Sequence, residues 1–372
     1  MFLIDILVFL IVLGIVVLVH EFGHFIASKT SGVRVEEFGI GFPPKLWKKK
    51  IGETEYFVGA IPFGGMTKIY GMDEMDKEKE ADARGYDSKS GWKKLWICGG
   101  GVVMNLLFAV VIFYGLVSFS GFTSEQALLM SDYKFPFGTQ VNQAMITEVG
   151  SGSPAEAAGL KQGDVVVAVN GQEINGSSQL SSVISENKGK ETILDLKGGR
   201  EVEVTPRIEY TPEEGSLGVG LRDVAVLSYT TIPEKIFVGF LHTWNITDYS
   251  ISAMGYIFSY AFSHKSLETV AYSMTGPVGI YAIIKLTLVK GWYDMINLVA
   301  ILSIALGVSN LLPIPAMDGA KLIYVALESI NKKIFSKDLQ IKIESFGALF
   351  LILLAVAIIC KDFIQFKDII FK

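Results

Sequence analysis

Four stretches of this chain carry no charged residue and are otherwise almost continuously apolar: Ile6 to Val19, Leu95 to Ser124, Met295 to Met317, and Ser345 to Cys360. A spanning helix needs about 20 apolar residues, each rising about 1.5 Å. The pattern therefore predicts four transmembrane helices, over residues 1–28, 95–124, 293–320 and 345–361. The fourth is short, about 24 Å by that rise, and Lys342 and Lys361 can snorkel from its ends. The first is read as a retained helix, not a signal peptide, because Asp5 stands where a positive region is needed and no clean small-x-small site follows.

The intervening segments differ in charge. Residues 29–94 are rich in Lys and Arg, including Lys48-Lys49-Lys50 and Lys93-Lys94, and the loop 321–344 also carries lysines. Positive residues in short loops mark the cytoplasmic side. That places the N-terminus, the segments 125–212 and 213–292, and the C-terminal tail 362–372 outside. Residues 54–70 alternate aromatic and β-branched positions, as a β-hairpin would. Residues 232–263 are apolar but interrupted by His242, Asn245, Thr247 and Asp248, and are expected to form an amphipathic helix on the membrane surface.

The insert 125–212 leaves the apolar regime and is β-rich. A short helix over Pro154 to Ala158 should end at Gly159. A strand over Asp164 to Val169 should close in a turn at Asn170-Gly171. The string Gly159-Leu-Lys-Gln-Gly-Asp-Val-Val-Val-Ala-Val-Asn-Gly171 resembles the PDZ domains of bacterial proteases, which bind extended peptides at a sheet edge.

Composition agrees with a membrane protein carrying a soluble insert: 372 residues, 50% hydrophobic and 19% charged. The net charge is -5 with no basic cluster suited to nucleic acid, which is not an expected partner. The two cysteines, Cys98 and Cys360, lie far apart in apolar runs and match no paired spacing.

Chemistry concentrates where the first apolar run ends, at His20-Glu21-Phe22-Gly23-His24. On a helix, residues i and i+4 share a face, so His20 and His24 can bind one zinc ion. Glu21 lies beside that face and can act as general base toward water. Ionisable residues inside a span are expensive and usually functional. A catalytic zinc wants a third protein ligand. Asp318 is the candidate: it is the only acid between Asp294 and Glu328, and it follows Pro313 and Pro315, which break the helix before it. Zinc, two neutral imidazoles and two carboxylates sum to zero charge, which a low-dielectric site tolerates. Gly64 and Gly65 allow close backbone approach, and Asn310 is a candidate partner for a substrate or backbone carbonyl.

Together these residues resemble the site-2 protease family of intramembrane zinc metalloproteases, of the regulator of sigma-E protease type. The likeness rests on His20 to His24, on Ala60-Ile-Pro-Phe-Gly-Gly-Met-Thr-Lys68, on the insert, on Thr275-Gly-Pro-Val-Gly-Ile280 and on Asn310-Leu-Leu-Pro-Ile-Pro-Ala-Met-Asp-Gly319. It implies a polytopic α-helical membrane protein with a membrane-associated β-hairpin and an inserted β-rich PDZ domain. It also implies zinc on His20, His24 and Asp318, Glu21 as base, and substrate contacts from Gly64, Gly65, Asn310, Pro313 and Pro315. Expected partners are the lipid bilayer, transmembrane protein or peptide substrates, and an upstream site-1 protease acting on the same substrate. The expected location is the bacterial cytoplasmic (inner) membrane. Departures from the family pattern are Phe22, Ala305, Met317, Ala320 and Gly100-Gly101, where the family commonly has Gly-Pro although Asn105 fits, and none is a ligand. Two other readings compete: a non-proteolytic PDZ-bearing scaffold and a metal transporter.

Overall fold

The computed structural model describes residues 2–72, 82–211, 214–265, 267–330 and 337–370. The chain divides into two units, Met1–Leu116 with Ile246–Lys372, and Val117–Asn245.

The first unit holds the helices α1 (Phe2–Thr30), α2 (Gly91–Phe119), α9 (Trp292–Asn310) and α11 (Lys337–Ile370). These supply four helices long and apolar enough to cross a membrane, so the chain is a multi-pass membrane protein. Their limits differ from the charge-free runs. The fourth is no short span: α11 covers 34 residues, because Lys337, Lys342, Lys361 and Asp362 continue the helix beyond its apolar middle. The third is shorter than 293–320. It ends at Asn310, and Asp318 opens a separate helix, α10 (Asp318–Ile330), because Pro313 and Pro315 deny amide donors to any continuation.

Small residues let these helices touch. A β-carbon on Gly23 would lie 2.1 Å from Gly100 O, so α1 and α2 cross backbone against backbone. Likewise a β-carbon on Gly347 of α11 would lie 2.3 Å from Pro315 Cβ, which seats the 311–317 loop. A short apolar helix, α8 (Pro277–Leu288), lies outside the four runs read as spans. Asp362 of α11 accepts from Gly276 N and Gly279 N, both at 2.9 Å, and so caps its start.

The expected hairpin within 54–70 is instead a single strand, β2 (Thr54–Ile69), paired with β1 (Val35–Ile51) across a turn at Gly52-Glu53. Both strands bend. Glu37–Ile40 lies between Glu55–Val58 on one side and Gly65–Lys68 on the other, while Trp47–Ile51 flanks Thr54–Val58. Gly41 (φ 81°) and Gly64 (φ 83°) supply the bends. Phe22 and Phe25 of α1 pack on Phe38 and Tyr56 of this sheet.

In the second unit, β3 (Thr123–Ala127), β4 (Thr139–Val149), β5 (Val165–Val169), β6 (Gln172–Glu173), β7 (Thr192–Leu196), β8 (Arg200–Val204) and β9 (Val219–Ser228) form one antiparallel sheet, ordered β3-β9-β4-β5-β7-β8 with β6 on β5. Because β9 pairs with β4 over its whole length, the folded insert reaches past residue 212. The helix α3 (Pro154–Ala157) ends before Gly159 (φ 76°), and Asn170 (φ 49°) and Gly171 (φ 75°) make the turn after β5. Leu180 and Ile184, one turn apart on α4 (Gly176–Glu186), bury against Ile146, Val166 and Leu194.

After α5 (Ile232–Ile236) comes α6 (Val238–His264), followed by α7 (Leu267–Ser273). Phe240, Trp244, Ile251, Phe258 and Phe262 of α6 are exposed, and their spacing puts them on one face.

Candidate active site

Eighteen residues of helix, Phe2–Val19, precede the histidines and are apolar except for Asp5, so α1 carries them to membrane depth without a break. His20 and His24 are both buried, and their rings meet edge to face. From the far end of the chain, Asp318 arrives in the first turn of α10, where the helix dipole favours its negative charge. Its Oδ2 lies 3.0 Å from His20 Nε2 and 3.1 Å from His24 Nε2, and the two nitrogens are 3.2 Å apart. Among the described residues this is the one cluster of three such side chains able to hold a metal ion.

The triangle fits zinc. Ligand bonds of about 2.0–2.1 Å in a tetrahedron separate ligand atoms by about 3.3–3.4 Å. Proton bookkeeping points the same way. His24 Nδ1 lies 2.8 Å from Ile97 O, which can only accept, so Nδ1 carries a proton and, in the neutral ring, Nε2 keeps a lone pair. That lone pair faces a carboxylate oxygen at 3.1 Å, an arrangement that repels unless a cation lies between. The neighbouring helix leaves room: a β-carbon on Gly101 would fall 2.5 Å from His24 Nε2 and 2.7 Å from His20 Nε2.

Glu21 is half-buried and lies against the sheet. A β-carbon on Gly65 would lie 2.7 Å from Glu21 Cγ, and Thr67 Oγ1 donates to Glu21 O at 3.0 Å. The sheet is thus anchored beside the general-base candidate. Gly64 packs on the ring of Phe42 instead. Asn310 donates from Nδ2 to Leu306 O at 2.9 Å, on its own helix, and Pro315 rests under Gly347. Three residues were given no role at this site from sequence: Gly101, Thr67 and Asn105, whose amide lies 3.3 Å from His20 Nδ1. The available signal for the last was an asparagine in a charge-free span, which needs a partner there.

Residues 8–354 match the family model described as Peptidase family M50. The chain belongs to the M50 (site-2 protease) family. A Clostridium perfringens protein, provisionally named a zinc metalloprotease, is 30% identical over 95% of this chain and 97% of its own. The zinc metalloprotease RasP of Shouchella clausii is 26% identical, covering 96% of this chain and 98% of the relative. The regulator of sigma-W protease RasP of Bacillus subtilis is 24% identical, covering 97% and 99%. As an M50 member the chain is a zinc metallopeptidase, and His20, His24 and Asp318 are the group among the described residues that could hold a metal ion.

Proposed function

We propose that this chain is an intramembrane endopeptidase that hydrolyses peptide bonds within the transmembrane segments of single-span substrates. The observation that carries this reading is the convergence of Asp318 on His20 and His24, with Glu21 next to His20 in sequence, on a helix apolar enough to span a bilayer. A scaffold would have no use for that constellation.

Zinc, when bound, supplies a Lewis acid for the scissile carbonyl and makes nearby water more acidic. The Glu21 carboxylate takes a proton from that water and delivers it to the departing amide nitrogen. Asp318 balances charge and, with His20 and His24, fixes where the carbonyl must sit. A helical substrate hides its amides in its own hydrogen bonds, so cleavage first needs replacement partners. Gly65–Thr67 of β2 pairs with β1 on one side only among the described residues. Its other edge, beside Glu21, takes the unwound substrate as an added strand. Gly64, Asn310, Pro313 and Pro315 shape the approach to that edge.

The substrates in this reading are anti-sigma factors or remnant signal peptides, already trimmed by a site-1 protease. The name of the Bacillus subtilis relative supports the first class. The sheet, α3, α4 and the turn at Asn170-Gly171 support a PDZ domain in the insert, which filters substrates by size on the outer face of the bacterial cytoplasmic membrane. The lysines of 29–94 and 321–344 support their cytoplasmic placement, with both termini outside. The apolar stripe of α6 supports its lying on the membrane surface.

Mass-spectrometric mapping of the products from a single-span reporter tests this function. The expected scissile bond lies inside the span. A bond only in the flanking soluble segments contradicts the proposal.

A further inference from the structure

We propose that Asn105 is a positioning residue for His20. Its side-chain oxygen accepts the Nδ1 proton of His20 and so commits Nε2, as a bare lone pair, to the metal. The inference rests on the reading of His20, His24 and Asp318 as zinc ligands, and goes beyond it to the helix that contributes no ligand.

Ile97, Gly101 and Asn105 stand four residues apart on α2, so they share one helix face. His20 and His24 stand four apart on α1. The two rows are matched. Ile97 O receives the Nδ1 proton of His24. Gly101 leaves space beside both Nε2 atoms. Asn105 meets Nδ1 of His20 at 3.3 Å.

The orientation of the Asn105 amide decides what His20 can do. Its nitrogen and oxygen are nearly isosteric, and the hydrogen-bond balance determines which end faces the ring. With Nδ2 facing the ring, His20 Nδ1 must accept. The ring proton then sits on Nε2, where it blocks coordination. That orientation also leaves Asn105 Oδ1 buried with no hydrogen-bond partner, in a residue that is 0% exposed. Rotating the amide by half a turn gives Oδ1 the Nδ1 proton and frees Nε2. Both imidazoles then carry their protons on Nδ1, each held by an oxygen from α2. Metal-binding histidines almost always donate their second nitrogen in this way.

Asn105 is itself held. Ser303 Oγ of α9 donates to Asn105 O at 3.0 Å, and a β-carbon on Gly307 would lie 3.6 Å from Asn105 Cβ.

The test compares zinc affinity, by chelator competition, in the full-length wild type and in Asn105→Leu, Asn105→Ala and Asn105→Asp. Leucine keeps the shape without the acceptor, alanine removes it without bulk, and aspartate keeps the acceptor but loses the amide donors. The expected result is affinity about 10- to 100-fold weaker for leucine and alanine. Aspartate should restore binding to within a few-fold of wild type, and the metal-free proteins should melt alike. Two outcomes overturn the proposal: binding by leucine and alanine equal to wild type, or aspartate as weak as leucine. A wild type that holds no zinc at this site would instead overturn the reading beneath it.

Discussion

Gly101 stands where any side chain would occupy the metal site: its missing β-carbon would lie 2.5 Å from His24 Nε2. That distance is well inside contact for carbon and nitrogen, and the atoms it would meet are the ring atoms of His20 and His24 themselves. A Gly101→Ala protein should therefore lose zinc. Substituting alanine inside a helix otherwise favours the helix by about 1 kcal/mol, so the fold should persist. Metal analysis of the purified variant is the check. Wild-type zinc content in Gly101→Ala contradicts the placement of the metal.

A second expectation separates the base from the ligands. The missing β-carbon of Gly65 would press on Glu21 Cγ at 2.7 Å but touches none of the three ligands. Gly65→Ala should displace the carboxylate while leaving zinc in place. Misplacing a reacting group by about 1 Å can cost about 100-fold, so turnover should fall roughly 10- to 100-fold at unchanged zinc content. Equal loss of zinc and activity would mean that Gly65 serves the fold of the site as a whole.

The insert offers a test by pH. His242 is buried, with Tyr229 Oη 2.9 Å from Nδ1 and Ser124 Oγ 3.3 Å from Nε2. Asn245 Nδ2 donates to the same Tyr229 oxygen at 3.0 Å. Burial pulls the His242 pKa down to about 4 from the ordinary 6.5. The unfolded chain then binds a proton that the folded chain refuses. The contribution is fully present above pH 6.5 and is lost as pH falls toward 4, to a total of about 3 kcal/mol. Thermal melts of the full chain between pH 7 and pH 4.5 should decline more steeply for wild type than for His242→Gln. Parallel slopes would contradict this.

Much of the site was legible because its rules are local. The four-residue spacing of His20 and His24 within an apolar run specifies one face of one helix, and the scarcity of acids near the third apolar run singles out Asp318. What could not be read depends on pairings between distant segments. The bent sheet illustrates this: Glu37–Ile40 is flanked on both sides by parts of the same strand β2, and a period-two pattern over 54–70 does not reveal the partner at 35–51. Helix ends were misjudged where charge was taken as the limit. Lys361 and Asp362 continue α11 because Asp362 is buried against the start of α8. The roles of Gly101 and Asn105 appear only once α2 lies against α1.

The central claim is that Glu21 is the base of a zinc-dependent hydrolysis at His20, His24 and Asp318. The most direct test incubates full-length wild type and Glu21→Gln, in detergent, with a single-span reporter whose outer domain has been shortened, and measures zinc content alongside. General-base catalysis is worth about 100- to 10,000-fold. Cleavage by wild type, with a loss of that size in Glu21→Gln at equal zinc content, is the expected result. Equal cleavage by both proteins would contradict it.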